Sequence, residues 1–324
     1  MKRLCLLAFA LLLLLTACGR AAPTAETTVP MTTEIEITTE AETTIEEPTT
    51  VFVPLSGESN GVTWRLLDLE DIENARQKEL LKSWKEEHHP AEAWKYITEL
   101  SLSETVTVYE TPTASEASIA GDEIRIRDET TGKESVLLKH SEMYPALVAE
   151  IDARYFVFVW CYPVYGISDP IIFDTKEKRE IPIEYDRAGD ILLFVCAVNS
   201  KLYFREVKEE EPMPDGKPHV LCADVADLYK GRPLKAVNLL EDFSDDVGEL
   251  RWPVVSPNGR YLAACTDREM ENNKFVLFDL ELRRLMLQLP LPPGFGINYI
   301  RFADAQTVYC YNHDITHALE ITLP

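Results

Sequence analysis

The chain has 324 residues and a formal charge of −23, from 32 basic and 55 acidic side chains, with 46% apolar residues. So acidic a chain offers no basic face for phosphate contacts, which argues against nucleic acid as a partner. The apolar share is ordinary for a globular protein and, after the first 50 residues, the chain is long enough for one large core or two small ones.

Met1-Lys2-Arg3 is a short basic start, and residues 4–15 are almost wholly apolar. That run is too short to span a bilayer comfortably and has the shape of a secretory signal. It ends in Leu15-Thr16-Ala17-Cys18, which resembles the lipobox of bacterial lipoproteins. The resemblance implies that residues 1–17 are a signal peptide and that Cys18 is lipidated on sulfur as the mature N-terminus. The protein would then be extracytoplasmic, held by lipid at the outer face of the cell membrane. Each buried methylene adds about 0.8 kcal/mol to such an anchor. Residues 18–50 are mostly Thr, Glu, Ala and Pro. They bury too little apolar area to offset ordering entropy, and like charges extend them, so they read as a disordered tether.

Residues 51–103 read as an N-terminal strand and a helical segment packed on the domain that follows. Residues 69–100 carry a rough helical stripe through Ile72, Ala75, Leu80, Leu81 and Trp84, with Asp68 placed to cap it. His88-His89-Pro90 breaks the pattern. Ala93, Ile97 and Leu100 then share one face of a second short helix.

Beyond Leu100 the hydrophobic period changes to two. Asp152-Ala153-Arg154-Tyr155-Phe156, Asn258-Gly259-Arg260-Tyr261-Leu262 and Asp304-Ala305-Gln306-Thr307-Val308 each link two apolar strands through a tight turn. A second signature closes a strand with Asp128, Asp174, Asp224 and Asp279, and Lys133, Arg179 and Arg284 follow five places after three of them. Recurrence at about 45–50 residues, four strands to a unit, marks a β-propeller. The units are 104–139, 145–183, 190–239, 250–289 and 297–323. The last has three strands, so residues 61–67 or 51–54 supply a fourth and close the ring. The fold class is therefore all-β, a propeller of about five four-stranded blades within residues 104–324. Six or seven blades is the alternative if residues 51–109 hold a degenerate one. Ser256-Pro257-Asn258-Gly259-Arg260-Tyr261-Leu262-Ala263, followed by a strand ending in Asp279, is similar to the repeat of TolB-like and WD40-like propellers. That resemblance implies a fold and a capacity for binding, and no reaction.

Five cysteines follow Cys18. Cys161, Cys196, Cys265 and Cys310 fall on the second strand of successive blades, too far apart to bridge. They read as buried apolar side chains, and Cys196 with Cys222 is the one pair placed to join.

In an up-and-down blade the first and third turns share one end, and the second turn shares the other with the link to the next blade. The first and third turns are short here, whereas the second turns are mostly long. Binding belongs on the long loops of a rigid scaffold. On them, Trp160, Tyr162 and Tyr165, with Asp169, suit a sugar ring or a peptide. Asp267, Glu269 and Glu271 alternate as oxygen donors for Ca²⁺. His313 and His317, with Asp314 and Cys310, have a spacing that zinc uses. The leading expectation is nonetheless a binding propeller without cofactor, metal or catalysis, with a protein or glycan partner in the cell envelope. The alternative is a carbohydrate-active hydrolase with paired carboxylates.

Overall fold

In a computed structural model of the protein, the described residues are 56–71, 75–87, 98–111, 121–162, 166–208, 217–241, 247–266 and 273–324. The expected signal peptide, Cys18, the tether, residues 51–54, the His88-His89-Pro90 break, Tyr165, Asp267, Glu269 and Glu271 lie outside them.

The chain enters through a hairpin of β1 (Ser56–Ser59) and β2 (Val62–Asp68). Its turn residues Asn60 and Gly61 both have positive φ, 53° and 77°, which matches the twist of the flanking strands. Helix α1 (Ala75–Glu87) follows. The first sheet is β3 (Glu99–Ser103), β4 (Val106–Glu110), β5 (Glu123–Asp128) and β6 (Lys133–Lys139). The second is β7 (Tyr144–Glu150), β8 (Tyr155–Tyr162), β10 (Ile171–Asp174) and β11 (Arg179–Glu184), with the short β9 (Gly166–Ile167) beside β8. The third is β12 (Ile191–Val198), β13 (Lys201–Val207), β14 (Val220–Asp224) and β15 (Leu234–Asn238), with the single-turn α2 (Ala226–Tyr229) before β15. The fourth is β16 (Leu250–Val255), β17 (Tyr261–Thr266), β18 (Lys274–Asp279) and β19 (Arg284–Pro290). In the fifth, β20 (Ile297–Phe302), β21 (Thr307–Asn312) and β22 (His317–Thr322) are joined by β2, from Thr63 opposite Thr322 to Asp68 opposite His317. The strands thus form a β-propeller of about five blades; a short parallel pairing of β11 with β15 joins the second and third, and β2 gives the last its fourth strand, as its three-stranded repeat requires, with β1 beyond it at the edge.

The first strands of the third, fourth and fifth blades lie against one another in succession. All five first strands carry a register shift: Ser101/Ser103, Leu147/Ala149, Phe194/Cys196, Arg251/Val254 and Ile297/Tyr299. An extra residue there sharpens the local twist and re-aims neighbouring side chains.

Apolar clusters fill four seams. Val108, Ile124, Phe156 and Phe158 join the first two blades, and Tyr155, Val157, Leu202 and Phe204 join the second and third. Tyr203, Val220, Leu262 and Phe278 join the third and fourth, and Phe275, Leu277, Val308 and Leu319 join the fourth and fifth. The free face of the fifth blade instead packs Tyr299, Tyr309 and Tyr311 against Leu81 of α1. The free face of the first blade is polar: Arg125 and Arg127 pair there with Glu123, Glu134, Glu99 and Glu129.

The recurring aspartates have a shared structural role. Asp174 is fully buried and accepts Arg154 through both oxygens, at 2.8 and 2.6 Å, while its Oδ1 also takes the Lys176 and Glu177 amides. Asp279 holds Arg260 in a similar way but through Oδ2 alone, at 3.1 and 2.8 Å, while its Oδ1 takes the Glu281 and Leu282 amides. Each arginine lies 4.9 Å from the ring centre of the following tyrosine, Tyr155 or Tyr261. Burial raises the two carboxyls, but the guanidinium and turn amides outweigh it and hold both below the ordinary aspartate range. Lys133, Arg179 and Arg284 stand directly across from Asp128, Asp174 and Asp279 on the fourth strand.

Several expectations need correction. Residues 99–103 are a strand, not helix: Leu100 and Leu102 alternate inward, and the first blade begins there rather than at residue 104. Asp68 ends β2 and caps a turn through the Glu70 amide, while the helix starts at Ala75. Cys196 is on the first strand of its blade, because the turn at Asn199 and Ser200, with φ of 50° and 60°, is the equivalent of the other tight turns. Cys196 and Cys222 flank Tyr203 on alternate strands, about 9–10 Å apart, beyond disulfide reach. No disulfide joins the five cysteines of the body, and burial pushes the Cys196 thiol up to about 12 and Cys222 to about 11.

Replacing Asp279 by Asn breaks a buried pair whose arginine is partly solvated, at a cost of about 2–3 kcal/mol. Thermal denaturation at pH 7 should show a fall of roughly 5–10 °C. A depressed carboxyl stabilises above its unfolded pKa, so the gap should close as pH falls below about 4.

Candidate functional site

The strand bounds separate the two ends of the propeller. One end holds the short first and third turns, such as Asn199-Ser200, Pro257-Asn258-Gly259 and residues 175–178. The other holds the strand ends that the second loops connect, such as Glu110 and Glu123, Tyr162 and Ile171, and Val207 and Val220, together with those that the links between blades connect. The third-to-fourth link alone carries Glu241, Asp242, Asp245, Asp246 and Glu249.

At this loop-bearing end the sequence candidates separate. Trp160 is 7% exposed and packs edge-on against Phe158, ring centres 5.3 Å apart, in the core between the first two blades. It is a core residue rather than a ligand platform. β8 is buried along almost its whole length because blades cover both its faces, and Tyr162 at its end is the first side chain to emerge. Asp169 is the centre of a cluster. Its Oδ1 accepts the Leu192 amide of the third blade at 3.0 Å, and its Oδ2 accepts the Tyr185 hydroxyl at 3.3 Å and the Arg187 guanidinium. Arg187 also donates to the Tyr185 oxygen at 2.8 and 3.0 Å. Burial is the main reason the Tyr185 phenol rises to about 12. Tyr185 and Arg187 were not legible as site residues; the link Tyr185-Asp186-Arg187-Ala188-Gly189 has no repeat partner to draw attention to it.

Below this cluster Glu206, 2% exposed, fixes the same link. Its Oε1 accepts the Ala188 and Gly189 amides at 2.7 and 2.6 Å, and its Oε2 lies 2.9 Å from His219 Nδ1. Gly189 must lack a side chain, since a Cβ would sit 2.6 Å from the Val207 carbonyl oxygen. Glu110, two blades earlier, makes a similar latch, accepting the Leu147 amide at 2.6 Å and the Gly121 amide at 3.2 Å. Burial outweighs those two amides and raises its carboxyl to about 7.

The proposed zinc ligands do not converge. Cys310 is wholly buried in the seam between the fourth and fifth blades. His313 meets its neighbour Asp314, and His317 meets Thr316. Among the described residues no group of three His, Cys, Asp or Glu side chains is arranged to hold a metal. A separate cleft of about 390 Å³, lined by Asn60, Trp64 and residues 285–289, lies beside the outer edge of the fourth blade.

What these elements define is a five-bladed propeller with a turn-built end and a loop-bearing end that presents aromatic, hydrogen-bonding and ionic groups. No protein-family model and no curated protein matches the chain. Among solved structures, it is similar to TolB from Acinetobacter baumannii at 12% identity, over 67% of this chain and 51% of that one, with a TM-score of 0.39. The chain thus spans about half the length of that TolB. It is also similar to the Cps50 (Swd1) β-propeller domain of Myceliophteria thermophila, at 12% identity over 68% and 80% of the two chains, TM-score 0.35. A post-proline cleaving enzyme from Rickettsia typhi matches at 12% identity over 69% and 34%, TM-score 0.43. The propeller assignment itself rests on the strand pairing.

A buried acid with a raised pKa destabilises the fold once the unfolded chain ionises. Unfolded glutamate loses its proton near pH 4.5 and folded Glu110 near 7, so stability should fall by about 3 kcal/mol as pH rises across that interval. Glu110→Gln should remove this slope in urea denaturation between pH 5 and 8; an unchanged slope contradicts the assignment.

Proposed function

We propose that this is an exported lipoprotein, tethered to the outer face of the membrane through lipid on Cys18, whose propeller binds a partner and performs no chemistry. The partner is a protein or glycan of the cell envelope, and it docks on the loop-bearing end around Tyr162, Asp169, Tyr185 and Arg187. The observation that carries this reading is the division of the scaffold. Tight, internally bonded turns occupy one end, and long loops of unrelated sequence occupy the other. Each acid of the described latches is committed, Glu110 and Glu206 to amides and Asp169 to Arg187. That suits a rigid recognition surface. The sequence of residues 1–18 and the acidic Thr/Glu-rich segment after it support export and tethering.

Two experiments test this. Labelled palmitate should enter the parent chain and not Cys18→Ser, which should leave the membrane fraction. Residues 56–324, used as bait on solubilised host envelope, should retain a partner. A double variant, Tyr162→Ala with Arg187→Ala, should weaken that binding at least about tenfold, whereas Lys178→Ala at the opposite end should not. Loss with Lys178→Ala and retention in the double variant would place the interface on the wrong end.

A further inference from the structure

Where the third blade meets the fourth, two arginines lie near a single carboxylate, and among the described residues only one of them pairs with it. Arg205, near the end of β13, extends toward the fourth blade on the same face as Tyr203. Its Nη2 donates to Glu249 Oε1 at 3.0 Å, with the two side chains 13% and 23% exposed. Arg251 follows two residues after Glu249, on the first strand of the fourth blade. It is close enough that its charge disfavours the Arg205 cation. Burial, the largest effect, and this like charge together lower the Arg205 guanidinium against the pull of Glu249.

Arg251 itself is left over. Its Nε is buried and has no hydrogen-bond partner, and no carboxylate among the described residues pairs with its guanidinium. A buried donor on a charged group without a partner costs more than a neutral one left in the same state. In a chain of charge −23 acids are plentiful, yet among the described residues none is brought to this cation. The backbone beside it is also unusual. Trp252 has a φ of 53°, a left-handed conformation that is strained for a bulky residue. It sits in the register shift between Arg251 and Val254, the kind of irregularity that turns a side chain away from the regular alternation. Trp252 packs toward the fifth blade and Leu250 toward the third.

We propose that Arg251 and Arg205 form a binding site for an oxyanion, the carboxylate or phosphate group of a ligand that enters from the loop-bearing end. The planar guanidinium fork of Arg251 takes two oxygens of such a group, and Arg205 adds a second cation while keeping Glu249. The inference rests on the reading of that end as the binding end for its position. It names a chemistry for the ligand that the reading alone does not.

The probes are sodium acetate, sodium phosphate and sodium chloride at matched ionic strength, added to residues 56–324 and followed by thermal denaturation. Acetate or phosphate should raise the melting temperature saturably beyond chloride, and whichever acts at lower concentration identifies the ligand group. Arg251→Gln should raise the half-saturating concentration at least about tenfold. Without added anion, this variant should be as stable as the parent or more so, because it removes a guanidinium whose buried Nε has no hydrogen-bond partner. Arg205→Lys keeps the charge but loses the fork, and it should weaken the response as well. An equal response to chloride would overturn the proposal. So would an undiminished response in Arg251→Gln, or a clear loss of unliganded stability in that variant, which would make Arg251 a structural partner. Because simple anions are the probes, failure to find an envelope partner leaves this result intact.

Discussion

A four-stranded sheet has two faces to cover, and everything in this protein follows from how it does so. β8, β17 and β21 are buried along almost their full length rather than on alternate residues. That pattern arises only when neighbouring sheets press on both sides. A blade buried in this way on both faces has no water-compatible side of its own, so it depends on its neighbours. The constraint is sharpest at the end of the chain. β20, β21 and β22 leave Leu319 and Ile321 beside an open edge, and β2 fills it from the other end of the sequence. The free faces of the end blades are treated differently: tyrosines of the fifth blade meet Leu81 of α1, and the first blade offers arginine–glutamate pairs instead of apolar residues.

Within this packing, carboxylates do two jobs at opposite ends. At the turn-built end, buried Asp174 and Asp279 each join a turn to an arginine from the neighbouring hairpin. At the loop-bearing end, Glu110, Asp169 and Glu206 accept backbone amides from strands or links that β-pairing leaves open. Charge-assisted hydrogen bonds to amides are among the stronger polar contacts available in a low-dielectric interior. They fix the links without large apolar loops and leave Tyr162 and Arg187 on a rigid base. Arg251 is the exception, a cation to which no acid among the described residues is brought.

Much of the blade plan was legible because its signals are local. The strand-ending aspartates must accept turn amides, so they recur at blade spacing, and the three-stranded final unit demanded an outside strand. Signals set by tertiary contact were not legible. Residues 99–103 carry too few apolar positions to separate strand from helix by period alone, and the partner strand β4 decided it. Asn199-Ser200 lacks the residues of the sister turns while adopting the same role, which shifted Cys196 by one strand. Trp160 looked like a loop aromatic because nothing local shows that the first blade covers it. The pairing of Asp169 with Tyr185 and Arg187, and the nearness of Arg205 to Arg251, bridge separate strands and links and leave no pattern in one dimension.

Closure by the N-terminal strand is the claim on which the two-ended scaffold stands. The most direct measurement compares urea denaturation and sedimentation of residues 56–324 with residues 69–324, which lack β1 and β2. The shorter chain should lose its cooperative transition or self-associate through the edge of β22, and a synthetic peptide of residues 56–68 should restore the monomeric transition. A monomeric 69–324 with the midpoint of the longer chain, indifferent to the peptide, would contradict it.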